Sequence, residues 1–151
     1  VWPEQPLETL TGSELALPAD LPSGPVVFIV GFSRKSTDQT SEWSRALTDS
    51  VAEHGFDTYS VVVVEGIPGL FRGMAIRGIR KGVPEELHDR FLLVRQGSDW
   101  WQQVTEVDDR DQAYLMLVDA ERAITERWMG PYSPDALDAL VAAVNAQKGM
   151  P

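Results

Sequence analysis

The segment formed by Ser33, Arg34, Lys35 and Ser36 places two hydroxyl groups and two positive charges between an apolar run and a segment with helical periodicity. In open α/β sheets, ligands bind beyond the carboxyl ends of the strands. The N-terminus of a helix also attracts anions, because its first backbone N–H groups have no partner within the helix. These four residues therefore predict a site for a small anion or an acidic peptide, and the alternative is a solvated polar loop.

Residues 66–83 combine basic and apolar side chains and contain no acidic residue. Four of the chain's 13 Lys and Arg residues fall within ten positions of this segment. Each glycine inside a helix is unfavourable by about 1 kcal/mol relative to Ala, so the segment favours a mobile insertion that docks on an acidic protein partner or an anionic membrane surface. The predicted docking residues are Phe71, Arg72, Met74, Arg77, Arg80 and Lys81. The alternative is an irregular insert that covers one face of a sheet.

Trp100 and Trp101 form a second candidate for docking, since tryptophan is enriched at protein interfaces. Neighbouring residues on a helix point about 100° apart. We therefore expect one ring to enter the core and the other to stay near the surface. Trp100 is included among the docking residues, and core packing of the pair is the alternative.

Composition narrows the classes of function. The chain has 151 residues with 43% hydrophobic content, enough for a single sizeable core. Its net charge of −10 argues against nucleic-acid binding, which requires basic surface. The absence of cysteine excludes thiol catalysis, disulfides and thiolate metal sites. We predict no enzyme activity, no cofactor and no metal site, and the acidic run at 106–111 is expected to be a solvated loop.

Hydrophobic periodicity and turn residues predict a hairpin followed by strands that alternate with helices. The hairpin is predicted at 7–17, strands at 26–32, 58–64, 113–119 and 124–129, helices at 40–54, from Pro84 and from Ser133, and residues 91–94 as a helix end or a further strand. A strand–helix–strand unit implies a right-handed crossover and a parallel pair. This order predicts an α/β fold, a single thioredoxin-like domain at 25–151 with a central mixed sheet flanked by helices. An N-terminal tether and β-hairpin extension at 1–24 precedes it.

The run "LTGSELALPADLPSG", the apolar strand after it and the polar loop that follows carry a family likeness. They resemble the membrane-anchored thioredoxin-like and peroxiredoxin group, in which a cysteine pair or a single catalytic cysteine follows that strand. The resemblance implies relic redox-site positions at Ser36, Thr37, Asp38, Gln39 and, where the group has a proline, Gln112. Disulfide exchange requires a thiolate, so a redox-inactive relative is implied. An oxidoreductase or peroxiredoxin relative whose cysteines were lost or mutated is the alternative.

In the second half, an aromatic-led "LVD" strand, a turn, a Trp-bearing strand and an acid near the start of the last helix follow one another. The residues concerned are Tyr114, Leu117, Val118, Asp119, Ile124, Trp128, Gly130 and Asp135. This pattern resembles the assembly-factor family of the mitochondrial F-type ATP synthase. It implies an assembly factor or chaperone-like adaptor that binds a protein partner, such as a subunit of a membrane complex.

The leading hypothesis is thus a redox-inactive, protein-binding thioredoxin-like domain. The alternative from another class is a small-anion carrier or enzyme that uses residues 33–36. Because the chain opens at Val1 and its first residues are typical of a polar tether, we expect an exported or periplasmic protein anchored through its N-terminus. A cytoplasmic or mitochondrial location is the alternative.

Overall fold

The structure, a computed structural model, describes residue 2 and residues 6–148. The remaining residues of the predicted tether, and residues 149–151, lie outside the described part. The strands and α-helices are β1 (Leu7–Thr9), β2 (Glu14–Leu15), β3 (Val26–Gly31), α1 (Thr37–His54), β4 (Asp57–Val63), α2 (Gly69–Gly82), β5 (Phe91–Val94), α3 (Ser98–Thr105), β6 (Tyr114–Val118), β7 (Ile124–Met129) and α4 (Pro134–Lys148). Two 3-10 helices, Arg34–Ser36 and Glu85–Arg90, lead into α1 and β5.

The strands form one mixed sheet in the order β2-β1-β5-β4-β3-β6-β7. β3 pairs in parallel with β4, and β4 with β5, whereas the other pairs are antiparallel. The predicted hairpin is present as β1 paired with β2. The α/β class with a mixed sheet, flanking helices and an N-terminal hairpin is therefore confirmed.

β3, an interior strand between β4 and β6, is covered on both faces, and all six of its residues are buried. Phe28 packs against Trp101 of α3 on one face. Ile29 packs with Trp43 and Leu47 of α1 on the other face. Burying a large apolar side chain contributes about 1.5–3 kcal/mol. The strand is therefore held firmly, and the point at which the chain leaves it, Gly31, is fixed with it.

Two predicted helices differ from the structure, and the alternatives left open for residues 91–94 are decided. α1 begins at Thr37 rather than residue 40, because the preceding 3-10 helix runs directly into it and Asp38 stands in its first turn, where the helix dipole favours an acid. Residues 91–94 are strand β5 rather than a helix end, since they pair in parallel with β4. The helix predicted from Pro84 is the short 3-10 helix that precedes this strand.

Residues 66–83, predicted as a mobile insertion with an irregular insert as the alternative, mostly form the regular helix α2, so the irregular alternative is wrong. α2 connects β4 to its parallel neighbour β5, and such a pair requires a crossover of about a dozen residues or more. The inner side of α2 buries Ile76 and part of Ile79 against Leu10 and Leu93. This tertiary packing offsets the low helix propensity of the glycines in α2.

The orientation of α2 predicts unequal effects of two similar substitutions. Ile76→Ala should lower the free energy of unfolding by about 2–5 kcal/mol, because the side chain is 5% exposed. Leu70→Ala, on the same helix but 86% exposed, should change it by less than about 0.5 kcal/mol. Urea unfolding followed by circular dichroism measures both values. Equal losses would mean that α2 turns a different side toward the sheet.

Candidate functional site

Asp111 ties the loop after β3 to the loop before β6. The Ser33 hydroxyl donates a hydrogen bond to Asp111 Oδ1 at 2.8 Å, and Lys35 Nζ lies 3.9 Å from Asp111 Oδ2. The Lys35 side chain is 81% exposed, so the ion pair contributes at most about 1 kcal/mol. A carboxylate of the protein thus already engages one hydroxyl and one cation of the predicted anion site.

Ser36 and the backbone beside it are also engaged. The Ser36 side chain is buried, and its hydroxyl donates to the Ser33 carbonyl oxygen at 2.7 Å. A Cβ on Gly31 would lie only 3.0 Å from the Ser36 oxygen, so the glycine makes room for it. The N–H groups of Ser36 and Thr37 bond to the carbonyl oxygens of Ser33 and Arg34. Anion binding at this loop stays a prediction, with the exposed Arg34 as its main cation.

The side chain of Gln39, in the first turn of α1, contacts the side chain of Gln112, which lies just before β6. Gln39 Nε2 donates to Gln112 Oε1 at 3.1 Å, and the Ala113 N–H donates to Gln39 Oε1 at 2.9 Å. Gln112 Nε2 in turn donates to Asp109 Oδ2 at 3.3 Å. Because the Ala113 N–H requires an acceptor, it fixes which way the Gln39 amide points. Two amides therefore fasten the start of α1 to the start of β6.

The five relic redox-site positions have different environments. Ser36 is buried, Gln39 and Gln112 are half-buried and in contact, and Thr37 and Asp38 are exposed. Hydroxyl and amide groups can donate and accept hydrogen bonds, but they cannot replace a thiolate in disulfide exchange. The equivalence of these positions to a redox site stays a prediction.

Behind the amide contact, Trp43 joins α1 to the end of β7. Its ring is 1% exposed, and Nε1–H donates to the Gly130 carbonyl oxygen at 3.0 Å. The Gly130 N–H donates to the Ala113 carbonyl oxygen at 2.9 Å, and its φ of +108° favours glycine. α1, the start of β6 and the end of β7 are thereby locked together.

At the neighbouring strand end, Glu65 follows β4 and binds the start of α3. Its Oε2 accepts a hydrogen bond from the Ser98 N–H at 3.0 Å. Hydrogen bonds from the Ser98 side chain and N–H, aided by the Gly97 N–H and the charge of Arg72, hold the pKa of Glu65 below its ordinary value. This helix N-terminus is therefore already occupied by a carboxylate of the chain itself.

The arginines predicted to dock a partner include two that hold α2 in place. Arg72 Nη2 donates to the carbonyl oxygens of Glu65 at 3.2 Å and Ile67 at 3.1 Å. Arg80 Nε donates to the Leu10 carbonyl oxygen at 3.1 Å. Both guanidinium groups fasten the helix to neighbouring backbone, so their role in docking stays a prediction beside a structural one.

The other predicted docking residues of α2 lie in solvent. Phe71 and Met74 are 55% and 64% exposed, and Arg77 and Lys81 are exposed as well. Leu70, which is not among the predicted docking residues, is even more exposed. Its spacing of four residues from Met74 indicates that the two side chains share one side of a helix, but only once the segment is known to be helical. We call these five residues the α2 surface.

Trp100 is partly covered rather than free. Its ring centroid lies 4.8 Å from that of Trp2 and 4.9 Å from that of Trp101. Trp101 is 1% exposed, which confirms the expected division of the pair between core and surface. Trp2 is held over Trp100 by a hydrogen bond from Nε1–H to the Arg122 carbonyl oxygen at 3.1 Å. Docking through Trp100 stays a prediction, and a partner there would compete with Trp2.

The acidic run at 106–111 is more structured than expected. The Tyr114 hydroxyl donates to Asp108 Oδ1 at 3.0 Å and accepts from the Asp109 N–H at 3.0 Å, while Asp111 binds Ser33. No local sequence signal marks these contacts, because most of their partners lie on other elements. Among the described residues, no group of three His, Asp or Glu side chains is placed to hold a metal ion. None of the helices in that part is long and apolar enough to cross a membrane.

Solved structures of other proteins share this arrangement. The exposed lipoprotein thioredoxin of Streptococcus pneumoniae gives a TM-score of 0.63 at 15% identity, covering 93% of this chain and 99% of its own. BsSco, a member of the Sco family of cytochrome c oxidase assembly proteins, gives 0.63 at 11% identity, with 98% and 94% covered. Peroxiredoxin Q of Xanthomonas campestris gives 0.57 at 17% identity, with 95% and 91% covered. The chain therefore has a thioredoxin-like fold, and likeness at these identities shows the fold alone.

The sequence matches no protein-family model and no curated protein. The comparisons show a thioredoxin-like fold, but they do not support the resemblance to the ATP synthase assembly factors. Most of the residues that carry that resemblance lie in β6 and β7, where Tyr114, Leu117 and Val118 are buried in the core. An apolar strand, a turn and a second strand are features that many sheets share, so this pattern has little specificity.

The amide contact predicts a loss of stability when Gln39 is truncated. Gln39→Ala should lower the free energy of unfolding by about 1–3 kcal/mol, because the buried Ala113 N–H loses its acceptor. The control is Gln103→Ala, which removes an exposed amide from α3 and should change stability by less than about 0.5 kcal/mol. Urea unfolding measures the free energy of unfolding of both variants. Equal losses of stability would show that the Gln39 amide has no special role.

The environment of Glu65 predicts a pH-dependent effect of Glu65→Gln. Since the pKa of Glu65 is lower in the folded chain, the carboxylate stabilises the fold fully above its unfolded-state pKa of about 4.3. That contribution is lost as the pH falls through the folded-state pKa. The variant should melt below the wild type at neutral pH, and the gap should narrow as the pH falls below about 4.3 and through the folded-state pKa. Thermal unfolding over this pH range measures the gap, with the exposed Glu121→Gln as control. A gap that stays constant with pH would contradict the prediction.

Proposed function

We propose that this chain is a redox-inactive thioredoxin-like domain that acts by binding a protein partner. The sequence contains no cysteine, whereas disulfide exchange begins with a thiolate. Ser36 and Gln39 form hydrogen bonds to the protein itself. On this proposal, the function depends on the surface rather than on a reaction at the strand ends.

The observation that carries the proposal is the α2 surface. Single exposed apolar side chains are common, but contiguous apolar patches mark interaction sites. Leu70, Phe71 and Met74 are exposed within five positions of one helix, and Arg77 and Lys81 follow on its outer side. Neighbouring cations favour a partner that carries negative charge.

More specifically, we propose that the domain acts as an assembly factor or chaperone-like adaptor for a subunit of a membrane protein complex. The fold is compatible with such a role, since BsSco, a member of a family of cytochrome c oxidase assembly proteins, shares it. The pattern between Tyr114 and Asp135 is the remaining support for an ATP synthase partner. An exported or periplasmic location, with anchoring through the N-terminal segment, belongs to the same proposal and is tested by localising the tagged full-length protein.

Two alternatives predict different results. A small-anion carrier or enzyme at residues 33–36 predicts saturable thermal stabilisation by phosphate or carboxylates. The contacts of Asp111 and Ser36 weaken that hypothesis, because they occupy donors that an anion would use. A peroxiredoxin relative that has lost its cysteines fits the fold neighbours about as well. It predicts the same redox inactivity but gives the α2 surface no role.

Photo-crosslinking in cells of the native source tests partner binding. A photoreactive phenylalanine analogue at position 71 should give one dominant adduct, and the same analogue at Thr48, an exposed position of α1, should not. Arg77→Gln combined with Lys81→Gln should weaken the adduct several-fold without changing the melting temperature. Arg72→Gln combined with Arg80→Gln should lower the melting temperature, because both side chains bind backbone carbonyls.

Two outcomes would contradict the proposed function. One is the absence of an adduct from position 71, or an identical adduct from the control position. The other is turnover of a thiol or peroxide substrate by the purified chain.

A further inference from the structure

Four residues of the α2 surface form a single stripe on the helix. Leu70, Met74, Arg77 and Lys81 are spaced i, i+4, i+7 and i+11, which places them on one side at 3.6 residues per turn. Ile76 packs against the sheet on the inner side. A ligand can therefore contact the stripe without disturbing the core.

The apolar and basic parts of the stripe are separated along the helix axis. Leu70, Phe71 and Met74 lie in its first half, Arg77 and Lys81 lie in its second half, and α2 contains no acidic residue. The helix has 14 residues and is about 21 Å long. A matching ligand is therefore apolar at one end and anionic at the other over about four helical turns.

We propose, building on the function proposed above, that the α2 surface binds an amphipathic helix of the partner in antiparallel orientation. The N-terminal half of that helix carries acidic residues, which face Arg77 and Lys81. Its C-terminal half carries large apolar residues, which face Leu70, Phe71 and Met74. This is helix recognition through anchors spaced about one turn apart.

The antiparallel orientation follows from electrostatics. Acidic side chains are favoured near a helix N-terminus by the helix dipole. In the antiparallel arrangement, the acidic N-terminal half of the partner lies beside the last turns of α2, where its basic residues stand. Each helix thereby carries its charges at the end that its own dipole favours.

A lipid surface matches the stripe less well. A helix that lies on a membrane has an apolar side along its length and a separate basic side. Here Arg77 and Lys81 stand in line with Leu70 and Met74, so the apolar side is interrupted. The net charge of −10 also opposes approach to anionic lipid. A partner helix can confine its negative charge to the half that faces the two cations, and a bilayer cannot.

The test uses the full chain labelled with ¹⁵N and three stapled synthetic helices of about 16 residues. The first carries Glu in its N-terminal half and Leu in its C-terminal half along one side. The second has the same composition with Glu and Leu alternating along that side, and the third is the first with Lys in place of Glu. The first peptide should shift the amide signals of α2 and bind at least about tenfold more tightly than the second.

Matched variants separate the apolar from the ionic contribution. Leu70→Ser combined with Met74→Ser should weaken binding of the first peptide at least about tenfold, without lowering the melting temperature. Arg77→Glu combined with Lys81→Glu should lose the first peptide and gain the third. A spin label at the N-terminus of the first peptide should broaden signals near Lys81 more than those near Leu70.

Three results would overturn this inference. They are no shift of α2 signals at about 1 mM of the first peptide, equal binding of the first two peptides, and a charge-reversed variant that does not gain the third peptide. If the chain sediments with phosphatidylglycerol vesicles in a way that requires Leu70 and Met74, and binds no peptide, the ligand of the α2 surface is lipid and not a helix. An adduct from position 71 without peptide binding would refute the helical ligand and leave partner binding standing.

Discussion

β3 lies inside the sheet, between β4 and β6, with apolar side chains buried on both faces, so a one-residue shift of its register would move each of them to the opposite face. This constraint determines where the chain emerges at Gly31 and where α1 begins. From that starting point, Trp43 reaches Gly130 and Gln39 reaches Ala113. The contacts that close the strand ends thus depend on a register set by hydrophobic burial.

Polar groups serve two separate purposes in this fold. At the strand ends they are turned toward the protein, where Asp111 binds Ser33 and Glu65 binds Ser98. On α2 the same residue type is divided, because Arg80 holds the backbone of Leu10 whereas Arg77 faces solvent. Groups that complete the structure are not free to bind a ligand, so the α2 surface is the stronger candidate for a function.

Much of the fold can be predicted from local pattern. The apolar run at β3, the turn glycine after α1 and the Ser133 cap of α4 each act within a few residues, and Ala136 N–H does bond to Ser133 Oγ at 3.1 Å. α2 is the instructive exception. Its glycines argue against a helix locally, and only the parallel pairing of β4 with β5 requires one.

The candidate site is harder to predict because its contacts join distant residues. Gln39 and Gln112 are 73 positions apart, and Ser33 and Asp111 are 78 apart. Neither residue of such a pair has a local pattern that indicates the other. The α2 surface became visible only once the inner side of the helix was known, since exposure is defined by what the opposite side covers.

The fastening between Gln39, Gln112 and Ala113 consists of neutral amides. A cysteine pair, by contrast, changes its covalent state with the reduction potential of its surroundings. Amides neither exchange electrons nor titrate between about pH 4 and pH 9. This junction therefore keeps one geometry in oxidising and reducing compartments alike.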